Sequence, residues 1–366
     1  MGTTRDIAEF AYKTTFDDFD SGLVKHVKDI LLSGVGMTMA GINTPTGQTI
    51  ISYIKEFATI EEAGVLGAGF RSSAEYAALA NGTTSHSTEL EDDSFPEGIY
   101  SVGIFPGILA LGEKLHVSGK QVIEAFVIAW DIAAKLALPL IPLLASRGMR
   151  PAFTTIGVAA SSAKLLKLDI EKMIMALSVV TSHTHWAVLS QTGTGAHLFE
   201  AGLAGRNGIA SAMLAKYGLT GRPDIFETSR GYLQGVAGEA YQFPKLGEPY
   251  RVKNAGIKKY PCCYLEMHPI DGFIELIDTH NILADDVEIV QVDVAPTFVN
   301  YVRFHHPKDE EEARFSLPHS LACCFVDKKP WIESYAVERV KNPQVSALRD
   351  KVKMIVHPEW ANPNLP

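Results

Sequence analysis

Over roughly the first 250 residues the apolar positions recur with a helical period. Val24, Val27, Leu31 and Val35 lie three or four apart and predict one face of a helix. Ser118 and Gln121 have the spacing of a capping box. The run that follows, VIEAFVIAWDIAAKLAL, places Val122, Phe126, Ala129, Trp130 and Ala133 on one broad apolar face. Asp169 is the expected N-cap of IEKMIMALSVVTSH, with Glu171 in the first turn, where the helix dipole favours negative charge. TTIGVAASSAKLL (154–166) and AGLAGRNGIASAMLAK (201–216) are rich in Gly, Ala and Ser. They predict central helices packed too closely for larger side chains.

After Tyr250 the pattern changes. In VEIVQVDV (287–294), Val290, Val292 and Val294 alternate with Gln291 and Asp293, which predicts a strand. SLPHSLACCFVD (316–327) reads as a buried helix with Pro318 in its first turn, and NPQVSALRDKVKMIV (342–356) as a helix running into a strand. The expected fold is mainly α: a large all-helical domain over 1–253 and a smaller α+β domain over 254–366. The Gly- and Pro-dotted stretch 221–253 crosses between them. HPEWANPNLP follows the last strand with no partner strand after it, so the smaller domain is expected to be C-terminally incomplete.

Composition narrows the function. Of 366 residues, 46% are hydrophobic and 20% charged, enough for a sizeable core, and the net charge of −9 argues against nucleic acid as a partner. A small anion remains compatible, because a few local cations overrule a global sign. The N-terminal MGTTRDIAEF has no signal-peptide apolar run, and Asp6 breaks the myristoylation pattern. No run approaches 18 consecutive apolar residues, so no membrane contact is expected. The four cysteines form adjacent pairs, Cys262–Cys263 and Cys323–Cys324, which fit neither a disulfide nor a zinc spacing. Reduced thiols and a cytoplasmic location are the expectation.

Four blocks carry candidate chemistry. NGTTSHSTELEDDSFPEG (81–98) crowds Glu89, Glu91, Asp92 and Asp93 together with no cation among them. Either it is a solvated loop, or one acid is held back for chemistry. In SQTGTGAHLFEAG (190–202), a loop with Gly193 and Gly195 runs into a helix starting near His197. It could cradle a carboxylate on unpaired N–H groups, or be a tight interhelix turn. KKYPCCYLEMHPID (258–271) supplies Lys258, Lys259 and His268 near the domain boundary. Cys262 with His268 is a weaker alternative as a nucleophile–base pair. SRGMRP (146–151) offers Arg147 and Arg150 to grip a carboxylate, or is a solvated loop. The histidines of FHHP (304–307) and SHTHW (182–186) have metal-like spacing but no confirmed carboxylate partner, and no metal is expected.

NGTTSHSTELEDD, RGMRPAFTTIGVAASSAKLLKLD, GTGAHLFEAGLAGRNGIASAML, KKYPCCYLEMHPID and ARFSLPHSLA occur in the order and spacing of the MmgE/PrpD family, which the chain resembles to about residue 327. That family includes 2-methylcitrate dehydratase, cis-aconitate decarboxylase and iminodisuccinate epimerase. The resemblance implies a large helical domain with a smaller α+β domain, a homodimer, and chemistry without a cofactor. A proton would leave or reach a carbon beside a carboxylate, with cations and N–H donors stabilising the charge. It implies Glu89 as the acid opening the D-x-D-D run, with Asp93 in place of a usual Thr. Ile99 replaces a usual His, Arg150 the His of G-x-H-P, His197 a usual Lys, and His319 the Tyr of FSLPY. His268 stands for the histidine downstream of YP-C.

On this basis Glu89, His268 and His197 are the expected catalytic residues. Asp93, Arg150, Thr192, Gly193, Thr194, Gly195, Lys258, Lys259 and His319 are expected to bind substrate. The activity implied is a dehydratase-type lyase on a small polycarboxylate or alkylcitrate-like acid. An epimerase or isomerase acting at the α-carbon of a dicarboxylate is the second reading, and a non-catalytic family scaffold the third.

Overall fold

The computed structural model describes residues 2–150, 153–184, 187–238 and 241–361, the side chains of residues 145, 150 and 187 excepted. The fold is mainly α. Contacts divide the chain into two units. The larger takes residues up to Ser87, Glu91–Ala187 and Leu198–Ile257; the smaller takes Thr88–Leu90, Val188–His197 and Lys258 onward. A single cut at residue 253 therefore misses two short segments, 88–90 and 188–197. They join the smaller unit through contacts distant in sequence, which local periodicity cannot register.

The larger unit is built on α1 (Ser21–Gly41), α2 (Ala74–His86), α3 (Phe105–Leu115), α4 (Gly119–Ala137), α5 (Thr154–Leu165), α6 (Ile170–Val180) and α7 (Gly195–Lys216), the last of which gives its first three residues to the smaller unit. The capping signals hold: Ser118 and Gln121 exchange hydrogen bonds at the start of α4, and Asp169 accepts from the Lys172 N–H at 2.8 Å to open α6. The buried stripe of α1 runs through Leu23, Val27, Ile30, Gly34 and Met37, one step round from the valine stripe of the sequence. Gly34 explains the rotation. The Phe105 ring lies 2.7 Å from where its Cβ would be, so a residue with no apolar side chain marks the packed face.

The small-residue helices are central, as expected. A Cβ on Gly157 of α5 would fall 2.2 Å from the Ala129 carbonyl oxygen of α4, and one on Gly202 of α7 would fall 2.2 Å from the Leu79 carbonyl oxygen of α2. Backbones touch at these crossings, so Gly202→Ala forces helices apart in a dense core. It is expected to destabilise the protein by about 1–3 kcal/mol, read as a lower urea midpoint.

Every residue from Asn81 to His86 is buried, which contradicts a solvated loop. These are the last turns of α2. A polar sequence tolerates burial there because its hydroxyls return to their own helix: Thr83 donates to Leu79 O at 2.9 Å and Thr84 to Ala80 O at 3.0 Å. The continuous stretch Gly119–Leu144 is long and apolar enough to cross a membrane by length and composition. However, 78% of that window is buried, as in a core helix. Asp131 of α4 accepts the N–H groups of Gly247 (2.7 Å) and Arg251 (3.0 Å), pinning the crossing segment. At its end β2 (Ala255–Ile257) pairs antiparallel with β1 (Asp92–Ser94).

The smaller unit packs α8 (Met267–His280), α9 (Leu317–Asp327) and α10 (Pro343–Arg349) with a parallel pair, β3 (Val290–Val294) and β4 (Val352–Val356), in register Val290↔Val352. The last strand thus finds its partner upstream. The core gathers Tyr260, Cys262, Ile270, Phe315, Leu321 and Tyr335. All four cysteines are buried and unbridged. A groove of about 390 Å³ beside α8 is lined by Phe273, Leu276, Ile277, Ile289 and Phe325 and carries no acid–base group.

Candidate active site

After α2 the chain turns sharply. Glu89 takes φ +51°, the left-handed region that costs a non-glycine residue about 1 kcal/mol or more. Such a conformation persists only where surrounding interactions fix it. Here the anchor is Lys258, one residue beyond β2. Its Nζ donates to the Glu89 carbonyl oxygen at 3.2 Å and to Oε2 at 3.1 Å. The other carboxylate oxygen, Oε1, lies 3.4 Å from His197 Nε2. Glu89 is 3% exposed, Lys258 6% and His197 2%. One carboxylate thus bridges an ammonium and an imidazole out of water, where Coulomb interactions are several-fold stronger than at a surface.

The loop before α7 presents His197. Arg303 donates to the carbonyl oxygens of Ser190 (2.9 Å) and Thr192 (3.0 Å), clamping the loop's outer side. Gly193 has φ +81°, and the Phe304 ring lies 2.5 Å from where a Cβ would sit, so both backbone and space demand glycine. The His197 N–H closes on Thr194 O at 3.1 Å, and the ring packs edge-on against Phe315 at 5.7 Å. Thr192 is buried and Thr194 is exposed, its hydroxyl turned back to Gln191 O at 2.7 Å; Gly195 opens α7.

Of the residues expected from sequence, Glu89, His197 and Lys258 converge. Others do not. His268 is exposed on α8, while its neighbour Met267 faces the core, so the catalytic assignment of His268 is corrected. A pairing of His268 with the buried Cys262 fails for the same reason. Lys259 is exposed and paired with Asp271 at 2.7 Å, away from the cluster. His319 is fully buried with both ring nitrogens engaged: Nε2 meets Ser334 O at 2.8 Å, and Nδ1 faces Arg349 Nη1 at 3.4 Å. Burial pushes its pKa down to about 4, so it is a neutral structural histidine rather than a substrate ligand.

The remaining acids are structural rather than solvated. Asp92 is buried and accepts the Ser101 N–H at 3.0 Å. Glu91 lies 3.9 Å from His86, whose ring stacks on Tyr100. Asp93 is half-buried in β1 opposite Gly256, and Ile99 is a core residue whose carbonyl accepts from Ser94 N. Arg150 lies in a two-residue strand, its side chain outside the described residues, as is all of His185 and Trp186.

Sequence reasoning missed Glu266. It immediately precedes α8, is 0% exposed, and accepts a hydrogen bond from Ser320 Oγ at 2.6 Å. Burial drives its pKa well above the ordinary carboxylate range, against a downward pull from Ser320 and Lys258; Glu89 adds to the rise. The available signal was a lone acid in the apolar run PCCYLEM.

Two family models match the chain: the MmgE/PrpD N-terminal domain over residues 5–243 and the MmgE/PrpD C-terminal domain over 260–364. Among curated proteins, the cis-aconitate decarboxylase of Mus musculus is 25% identical over 96% of this chain and 75% of its own length. The cis-aconitate decarboxylase of Aspergillus terreus is 23% identical over 96% of this chain and 78% of its own. The cis-aconitate decarboxylase-like protein oryM of Aspergillus oryzae is 23% identical over 71% and 58%. With both domain models matched in order along nearly its whole length, the chain belongs to the MmgE/PrpD family.

Proposed function

We propose that the chain is a lyase acting on a small polycarboxylate without a cofactor. Glu89 and His197 would move a proton at the carbon beside a substrate carboxylate, with Lys258 holding that carboxylate. The observation that carries this reading is the buried Glu89 carboxylate bridging Lys258 and His197. Such a group can exchange a proton with its imidazole neighbour while the ammonium offsets developing negative charge. The names of the relatives support a lyase on a tricarboxylic acid.

The chemistry balances for either leaving group. In decarboxylation the C–CO2 bond breaks, its electron pair enters the carbon skeleton, and the His197–Glu89 pair delivers a proton to carbon. In dehydration the pair removes a proton from carbon, the electrons form the double bond, and hydroxide departs with a proton from the acid partner. The relatives' names favour carbon dioxide; the dehydratase members of the family favour water.

The test is turnover of cis-aconitate, and separately of a hydroxy-tricarboxylate, in D2O followed by proton and carbon NMR. Carbon dioxide release with deuterium at the protonated carbon identifies a carboxy-lyase. Loss or gain of water identifies a hydro-lyase. Deuterium exchange with neither identifies an isomerase and overturns the lyase reading, as does silence with every polycarboxylate tried.

A further inference from the structure

Glu266 is unused by the mechanism above, yet its surroundings define its chemistry closely. Its Oε2 accepts from Ser320 Oγ at 2.6 Å, and that hydroxyl in turn meets Tyr335 OH at 3.0 Å. Its Oε1 is buried with no hydrogen-bond partner among the described residues. The charged and titratable groups around it are Lys258 and Glu89, the Cys262 and Cys263 thiols, and the Tyr335 hydroxyl. Glu89 is paired with both Lys258 and His197, whereas Glu266 is fully buried outside those ion pairs, so Glu266 is the acid that keeps its proton. Because Oε2 accepts from Ser320, that proton resides on Oε1. The result is a buried O–H donor close to Lys258 with its donating capacity unspent, a costly arrangement unless a ligand uses it.

We propose that Glu266 is a neutral carboxyl that recognises the anionic substrate beside Lys258: its Oε1–H donates to a carboxylate of the bound polyacid, and loss of that proton expels the acid. The role rests on the polycarboxylate reading above and adds to it a source of pH-dependent affinity. The thiols and Tyr335 do not compete for this role. Burial holds Cys262, Cys263 and Tyr335 above their ordinary values, so they stay protonated as Glu266 ionises.

The experiment measures binding of propane-1,2,3-tricarboxylate, an unreactive tricarboxylate, by calorimetry across pH 6 to 9. Wild-type affinity is expected to fall with rising pH, approaching about tenfold per unit once Glu266 loses its proton. Glu266→Gln keeps an acceptor for Ser320 and a donor for the ligand, so it should bind at neutral pH without that alkaline fall. Glu266→Met removes the donor and should weaken binding about tenfold or more at neutral pH. A second readout needs no ligand. If native Glu266 is protonated, Glu266→Gln raises the melting temperature relative to wild type by more at pH 8 than at pH 5.

If Glu266→Gln retains the alkaline fall, if Glu266→Met binds like wild type, or if the melting difference is independent of pH, the Glu266 role is overturned while the polycarboxylate reading stands. If wild-type protein binds no tricarboxylate at any pH, both fall together.

Discussion

Glu89→Gln is expected to lower turnover of a polycarboxylate by about 10²–10⁴-fold while leaving the fold intact, the range typical for removing a positioned acid or base. The amide preserves shape and can still accept from Lys258, whose bond to the Glu89 carbonyl oxygen at 3.2 Å is untouched. It removes the basicity together with the charge that pairs with Lys258, so some stability is lost as well. Steady-state kinetics should therefore show the loss mainly in kcat, with a far-UV spectrum like that of wild type. His268→Ala is the matched control. Its ring is on the exposed face of α8, so turnover should be unchanged. Full activity in Glu89→Gln would remove Glu89 from the chemistry.

Lys258→Met carries the largest expected effect on stability. The methionine fills much the same volume but strands the Glu89 carboxylate at 3% exposure without its ammonium. Breaking a buried pair from one side costs about 3–5 kcal/mol, because the remaining charge stays desolvated. The check is a urea unfolding series that includes the double variant Lys258→Met/Glu89→Gln. With the charge gone as well, the double variant should recover a substantial part of the loss, and the non-additivity measures the coupling. A Lys258→Met midpoint equal to that of wild type would mean that the pair contributes nothing to folding.

What could be read from sequence was what is encoded locally. The Ser118 and Asp169 caps, the valine alternation of β3 and Pro318 in the first turn of α9 each depend on neighbours within a few residues. Glu89, His197 and Lys258 were visible as unusual residues in unusual places. What escaped depended on direction and on distant contacts. Met267 and His268 are about 100° apart around a helix, and sequence alone did not fix which one turned inward. His319 looked like a polar substitution at a reactive position, but its two nitrogens are taken by Ser334 and Arg349, residues 15 and 30 positions on. The acids after α2 could be read as a solvated loop or as holding one acid back for chemistry, because the partner that decides it for Glu89, Lys258, lies far along the chain. Glu266 was inconspicuous because its raised pKa comes from burial, which a lone acid in an apolar run only suggests.

The positive φ at Glu89 has an evolutionary consequence. Glycine and asparagine adopt that backbone more comfortably than glutamate does, but either would strand the buried Lys258 ammonium, so the ion pair outweighs the backbone relief. Among descendants of this chain, those that keep a carboxylate at position 89 should be the ones still turning over substrate, and those that have relaxed to glycine should have lost it. A single column of aligned sequences, scored against measured turnover, would then serve as a marker of catalytic retention.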